Sequence, residues 1–332
     1  METQDRKTGA RQIGDVVAFA AIACGLAWLV ALPLWLGNGL AEPSFPLVAL
    51  AMMFTPAVAA VALGWWGLRS GARHNDGGRQ GRPGRATARA MLSRLGLTTP
   101  MRDSGHRRPR TRLVGFLVLA WLLPSVLMLG GLGIAAMAGV YPADFAGLSG
   151  LRELMRQQSE ALGVAMPEIP GAILIVGQLV NVLLGALINA VPALGEELGW
   201  RGWLVPRLAR FGPVGVVVIS GVLWGVWHAP LVLLGYNYPD LPGGWGVMAM
   251  CGLTVSFGAV LAWIRLSSDS VWPAALFHGS LNAAAGLSVV FARPEALSSL
   301  QVPPTGWTGW ILPLVLGSAA LALWWRAAQR TR

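Results

Sequence analysis

Long apolar stretches separated by short polar segments run through almost the whole chain. Eight of them reach about 20 residues, the length that an α-helix needs to cross a bilayer. Their approximate limits are 13–36, 46–68, 113–139, 171–195, 214–234, 245–265, 270–292 and 306–326. The pattern predicts an all-α, polytopic membrane protein with about eight transmembrane helices.

The arginines fall mainly on one side of this predicted bundle. The segment Arg69 to Arg112 contains twelve arginines and two aspartates, and more arginines follow the fourth, sixth and eighth spans. Segments rich in arginine stay in the cytoplasm during membrane insertion. We therefore expect a protein of the cell (inner) membrane with cytoplasmic N- and C-termini.

This topology divides the chain into five parts. They are a cytoplasmic N-terminal tail (1–12), the first two spans (13–68), an arginine-rich cytoplasmic loop (69–112), spans three to seven (113–292), and the last span with a cytoplasmic C-terminal tail (293–332). The loop is rich in Gly, Pro and Arg, so we expect it to be largely disordered, with a short helix near Ala86 to Leu97. Orientation alone explains its charge, which makes an anionic-lipid site the weaker interpretation.

Composition narrows the functional classes. The chain is 55% hydrophobic and only 12% charged, whereas soluble domains are about 25% charged. A soluble globule, a disordered chain and a nucleic-acid-binding protein are therefore poor fits, although the net charge is +10. The two cysteines, Cys24 and Cys251, lie in apolar stretches and form no metal or redox motif.

Ionisable residues within spanning helices are costly and are candidates for function. The first set lies in residues 196–201, at the end of the fourth span. Glu197 and Arg201 are four residues apart and share a helix face, which predicts an ion pair. Glu196 points about 100° away, so it is free to face something else. Gln178, Asn181 and Asn189 lie near its face and suggest a polar stripe.

Two further sets lie at 224–228 and 278–282. His228 shares a helix face with Trp224, and His278 shares one with Asn282. Each set alone is compatible with a hydrogen bond between helices. Counted at about 1.5 Å per residue, however, Glu196 and the two histidines fall at a similar depth. We therefore expect one intramembrane site, reached from the cytoplasmic side.

A carboxylate and two imidazoles in an apolar cavity can activate a water molecule. The second imidazole and the Asn282 amide can donate hydrogen bonds to a developing oxyanion. Two histidines and a glutamate are also a possible zinc set, here Glu196, His228 and His278, and the sequence leaves this alternative open. A proton-coupled transporter and a non-catalytic membrane scaffold are the rival functions.

The order Glu-Glu-x-x-x-Arg, aromatic-x-x-x-His and His-x-x-x-Asn on separate membrane helices resembles the CPBP family of intramembrane proteases. This family, also called CAAX protease and bacteriocin-processing or Abi, includes the type II CAAX prenyl endopeptidases. The resemblance covers about Asn189 to Ala284. The departure is Trp224, where the family commonly has Phe, which keeps an aromatic wall but narrows the cavity.

The resemblance implies a role for each motif residue. Glu196 would activate the water with help from His228. Glu197 and Arg201 would hold the site together, and His278 and Asn282 would bind the oxyanion. It also implies a peptidase with substrates such as prenylated C-terminal CAAX tails. Our own expectation is a membrane-associated peptide or protein as substrate within the lipid bilayer, with no required cofactor and no nucleic-acid partner.

Overall fold

The structure is a computed structural model that describes residues 2–75, 85–98, 109–164, 168–294 and 297–330. Within these ranges the secondary structure is helical. No β-strand is formed there, and Ala143 and Ala292 form an isolated β-bridge. The first half contains α1 (Glu2–Leu36), α2 (Phe45–Met53), α3 (Thr55–Asn75), α4 (Arg85–Arg94), α5 (Pro109–Met137) and α6 (Ser149–Leu162). The second half contains α7 (Gly171–Glu197), α8 (Val205–Leu208), α9 (Gly212–Trp227), α10 (Ala229–Val232), α11 (Gly244–Ser268), α12 (Trp272–Ala284), α13 (Leu287–Val290) and α14 (Trp307–Arg330).

The helices confirm a polytopic all-α membrane protein. Six segments in the described ranges are long and apolar enough to cross a bilayer. They are Gln12–Leu36, Phe45–Gly67, Arg110–Met137, Gly171–Trp227, Gly244–Ser268 and Trp307–Arg330. The fourth segment has 57 residues and contains the fourth predicted span and most of the fifth. The predicted seventh span is divided between α12, of 13 residues, and α13, of 4 residues, so the count of eight is not confirmed.

The predicted polar segments are more structured than expected where the structure describes them. The residues assigned to the N-terminal tail belong to α1, which begins at Glu2. In the arginine-rich loop, α3 continues to Asn75 and α5 begins at Pro109. The short helix expected near Ala86 to Leu97 is α4. Residues 76–84 and 99–108 lie outside the described residues, so the prediction of disorder for them stays a prediction.

The short helix α12 lies at the centre of the bundle, where it packs mainly against α7 and α5. It approaches α7 closely because Gly279 has no side chain. A Cβ atom at this position would lie 2.6 Å from the carbonyl oxygen of Ala186. Small residues allow such close packing of membrane helices. The helix α11 forms another part of the core, where it packs against α9 and α14.

Candidate active site

A π-helical segment, Leu198–Leu204, follows α7 directly after the two glutamates. π-helical turns inside longer helices are rare and often occur at functional sites. Gly199 in this segment packs on the chain at Pro56, where an added Cβ would lie 2.6 Å from the Pro56 carbonyl oxygen. This π-helical segment contains Arg201, whose side chain reaches back to Glu197 at the end of α7.

Glu197 is the acceptor at the centre of a buried polar cluster. Its Oε1 atom accepts a hydrogen bond of 2.9 Å from Nη1 of Arg201 and another of 2.9 Å from Nδ1 of His278. The exposed fractions of the three side chains are 0% for Glu197, 1% for Arg201 and 7% for His278. The ion pair with Arg201 agrees with the i, i+4 spacing, whereas the contact with His278 comes from the packing of α12 on α7.

Glu196 faces away from this cluster, as its position on the helix indicates. Its Oε2 atom accepts a hydrogen bond of 2.8 Å from the indole nitrogen of Trp224. Its Oε1 atom has no hydrogen-bond partner among the described residues. The side chain is almost fully buried and lines a cavity. One carboxylate oxygen is therefore held in place, and the other remains available to a ligand.

His228 lies at the end of α9 and has a defined tautomer. Its Nδ1 atom is 2.8 Å from the backbone carbonyl oxygen of Trp224. A carbonyl oxygen can only accept, so Nδ1 carries a proton and Nε2 presents a lone pair in the neutral ring. The ring also contacts Trp227 edge to face at 4.6 Å between centroids. Because its orientation is fixed from two sides, His228 is placed to accept a proton in the cavity.

Trp224 contacts four of the six candidate residues. Besides its hydrogen bond to Glu196, its ring lies 4.1 Å beneath the guanidinium carbon of Arg201. Its centroid is 5.3 Å from that of His278 and 6.0 Å from that of His228. The sequence predicts this residue only as an aromatic wall. The indole N–H, which a phenylalanine lacks, makes it a hydrogen-bonding member of the site.

The polar residues enclose a cavity of about 420 Å³, a volume within the range of ordinary ligand pockets. Four predicted site residues line it, namely Glu196, His228, His278 and Asn282. The remaining two, Glu197 and Arg201, lie behind it. Asn282 is exposed and has no hydrogen-bond partner among the described residues. Its amide is therefore free to bind a ligand.

Two expectations about the surroundings of the site are wrong. Of the proposed polar stripe on α7, Asn189 lines the cavity but Gln178 and Asn181 do not. The cavity also extends away from the arginine-rich side. It reaches the loop residues Tyr236, Asn237, Pro304 and Thr305, which the predicted topology places on the opposite face. Tyr236 was missed because nothing in the sequence marks a loop tyrosine as part of a cavity.

The zinc alternative requires three side chains placed around one metal ion. Among the residues that the structure describes, no group of three or more His, Cys, Asp and Glu side chains is placed to hold a metal ion. Glu196, His228 and His278 share the cavity without forming such a group. The donor chemistry alone is that of a zinc site, so chelation remains a necessary test.

Comparison with protein families assigns the part of the chain that holds this site. The family model described as "Type II CAAX prenyl endopeptidase Rce1-like" matches residues 177–284. Over these residues the chain is similar to this family. The match begins within α7 and ends at the last residue of α12, so it includes all six candidate residues. No curated protein matches the chain. This similarity supports a multi-pass membrane peptidase.

Proposed function

We propose that the chain is an intramembrane endopeptidase that hydrolyses a peptide bond with a water molecule activated by Glu196 and His228. The observation that carries this proposal is the arrangement around Glu196. One of its carboxylate oxygens is held by Trp224, and the other has no described partner in a cavity shared with two imidazoles. The similarity to the Rce1-like family supports the reaction class.

The proposed reaction begins with a water bound between the free oxygen of Glu196 and Nε2 of His228. One of these groups takes a proton as the water oxygen forms a bond to the peptide carbonyl carbon. The negative charge then develops on the carbonyl oxygen. The C–N bond breaks when the leaving nitrogen receives a proton from the same pair, which restores the site.

His278 and Asn282 are the proposed donors to the oxyanion. Nδ1 of His278 donates to Glu197, so its Nε2 can donate to a substrate only when the ring carries both protons. In that form the cluster of Glu197, Arg201 and His278 carries one net positive charge, which the ionised carboxylate of Glu196 across the cavity wall balances. The free amide of Asn282 supplies a second donor, and preorganised donors of this kind stabilise the charged intermediate.

The proposed substrate is a membrane-associated peptide or protein, and the test uses a library of quenched fluorescent peptides with purified protein in detergent. We expect cleavage by the wild type and loss of cleavage in Glu196→Ala and His228→Ala. A chelator should leave the rate unchanged. Loss of activity that zinc restores would replace this mechanism with the metal one.

Assays of the same protein in liposomes distinguish the proposed endopeptidase from the two rival functions. A proton-coupled transporter would show proton flux that depends on Glu196 without peptide cleavage, and a scaffold would show neither. Either result would overturn the proposal.

A further inference from the structure

The cavity extends toward one membrane face only, as the order of its lining residues along the helices shows. On α12 the lining continues from His278 to Asn282 and Ala285, toward the end of this helix. On α11 it consists of Met250 and Leu253, near the beginning. The end of α12 and the beginning of α11 lie on the same face, because consecutive spans alternate in direction.

Residues from two loops complete the lining of the cavity on this face. Tyr236 and Asn237 follow α10, and Pro304 and Thr305 precede α14. We call the side formed by residues 233–243 and 297–306 the cavity face. Tyr238 links its two loops by donating a hydrogen bond of 2.9 Å to the Thr305 carbonyl oxygen.

The opposite side is closed by the segment after α4. Leu95 is buried, and the Gly96 carbonyl oxygen accepts a hydrogen bond of 3.0 Å from the Val271 backbone nitrogen. The Leu97 carbonyl oxygen accepts one of 3.2 Å from the indole of Trp272. This segment therefore seals the turn between α11 and α12. We call this side, with Leu95–Thr98 and the turn Val205–Phe211, the arginine face.

Charge assigns the two faces to the two sides of the membrane. The arginine face includes Arg94, Arg207 and Arg210 among the described residues, and the sequence 69–112, which joins α3 to α5 through α4, contains twelve arginines. On the cavity face, α6 contains Arg152 and Arg156, and Arg156 forms ion pairs with Glu153 and Glu160. Unbalanced arginine in short loops marks the cytoplasmic side. The arginine face is then cytoplasmic, and the cavity face is extracytoplasmic.

We propose that the substrate enters this site from the extracytoplasmic side of the membrane. The cavity lining contains no Lys or Arg among the described residues, and apart from the catalytic groups it is made mainly of Met, Leu and Trp side chains. Apart from His278, which the proposed mechanism uses as a donor to the oxyanion, the described lining offers no cationic side chain to bind a free C-terminal carboxylate. The fitting substrate is an uncharged, internal segment of a membrane-associated chain that is exposed on this side. This inference rests on the proposed endopeptidase function for its chemistry, but not for its geometry.

The test labels single cysteines on the two faces of the full-length protein. Cys24→Ala and Cys251→Ala provide the background. Thr305→Cys reports on the cavity entrance, and Ser93→Cys on α4 is the matched control on the arginine face. We expect a membrane-impermeant maleimide to label Thr305→Cys in intact cells and Ser93→Cys only after lysis. The reverse pattern, or labelling of both only after lysis, would overturn the proposal.

Two further measurements keep the test decisive. If Thr305→Cys does not accumulate, Ser298→Cys on the same loop reports the side of the membrane. In detergent, a bulky maleimide on Thr305→Cys should abolish peptide cleavage, whereas the same reagent on Ser93→Cys should leave it unchanged. Cleavage that survives full modification of Thr305→Cys would show that substrate enters elsewhere. If the unmodified protein cleaves nothing, the endopeptidase function fails, while the labelling pattern still decides the side.

Discussion

Removal of the indole hydrogen bond to Glu196 is the most informative perturbation of the site's geometry. Trp224→Phe keeps an aromatic ring beneath Arg201 but deletes the donor that lies 2.8 Å from Oε2 of Glu196. The carboxylate then loses the contact that fixes its rotation. We expect the water to be held less well in line with the scissile carbonyl group.

The expected fall in kcat/KM follows from the strength of the hydrogen bond between Trp224 and Glu196. A hydrogen bond to a charged group contributes about 1.5–3 kcal/mol, and each ~1.4 kcal/mol changes a rate about tenfold. Trp224→Phe should therefore lower kcat/KM by about tenfold to a hundredfold. The assay is initial-rate cleavage of a quenched fluorescent peptide in detergent, with thermal unfolding measured on the same preparation.

Trp121→Phe is the matched control, because it deletes another indole hydrogen bond, one of 3.0 Å to the Leu183 carbonyl oxygen, at a position that does not line the cavity. This change should lower stability by a similar amount but reduce kcat/KM much less. The reasoning would be refuted if Trp224→Phe stayed within about twofold of the wild type, or if both variants lost activity equally.

Three other substitutions probe the cluster, the oxyanion donors and the helix packing. Glu197→Gln leaves the buried guanidinium of Arg201 without its counter-charge, so the free energy of unfolding in detergent should fall by about 3–5 kcal/mol; an unchanged unfolding midpoint would contradict this. Asn282→Ala should lower kcat by about 10²–10³ with little change in stability, whereas an effect on KM alone would argue against an oxyanion contact. Gly279→Ala inserts a methyl group 2.6 Å from a backbone oxygen of α7 and should destabilise the protein by about 1–3 kcal/mol. The control Gly177→Ala, with open space around its position, should not destabilise it.

The transmembrane helices could be predicted from hydropathy where a single long helix has an apolar surface over most of its length. Hydropathy identifies α1, α5 and α14 because lipid requires an apolar surface and about 20 residues. It locates an apolar stretch at 270–292 but does not give the length of α12, which has 13 residues and is largely buried among other helices. This helix packs closely on α7 at Gly279, and hydropathy does not distinguish an apolar helix that packs in this way from one that spans the bilayer.

The contacts of the candidate site could be predicted from the sequence where both residues belong to the same helix. The spacing of four residues predicts the bond between Glu197 and Arg201, which the structure shows at 2.9 Å. The bond from His278 to Glu197 spans 81 residues and depends on the packing of two helices. The direction of the cavity also depends on tertiary structure. Depth counted along each helix places groups at one level but does not show which side is sealed by the Leu95–Leu97 segment.

The central claim is that Glu196 acts as a base toward water, and Glu196→Gln tests it most directly. The amide keeps an oxygen that can accept the Trp224 hydrogen bond and has nearly the same size, but it cannot take a proton. With the unfolding midpoint unchanged, kcat for peptide cleavage should fall by about 10²–10⁴. A Glu196→Gln protein that retained kcat within a few-fold of the wild type would contradict the account.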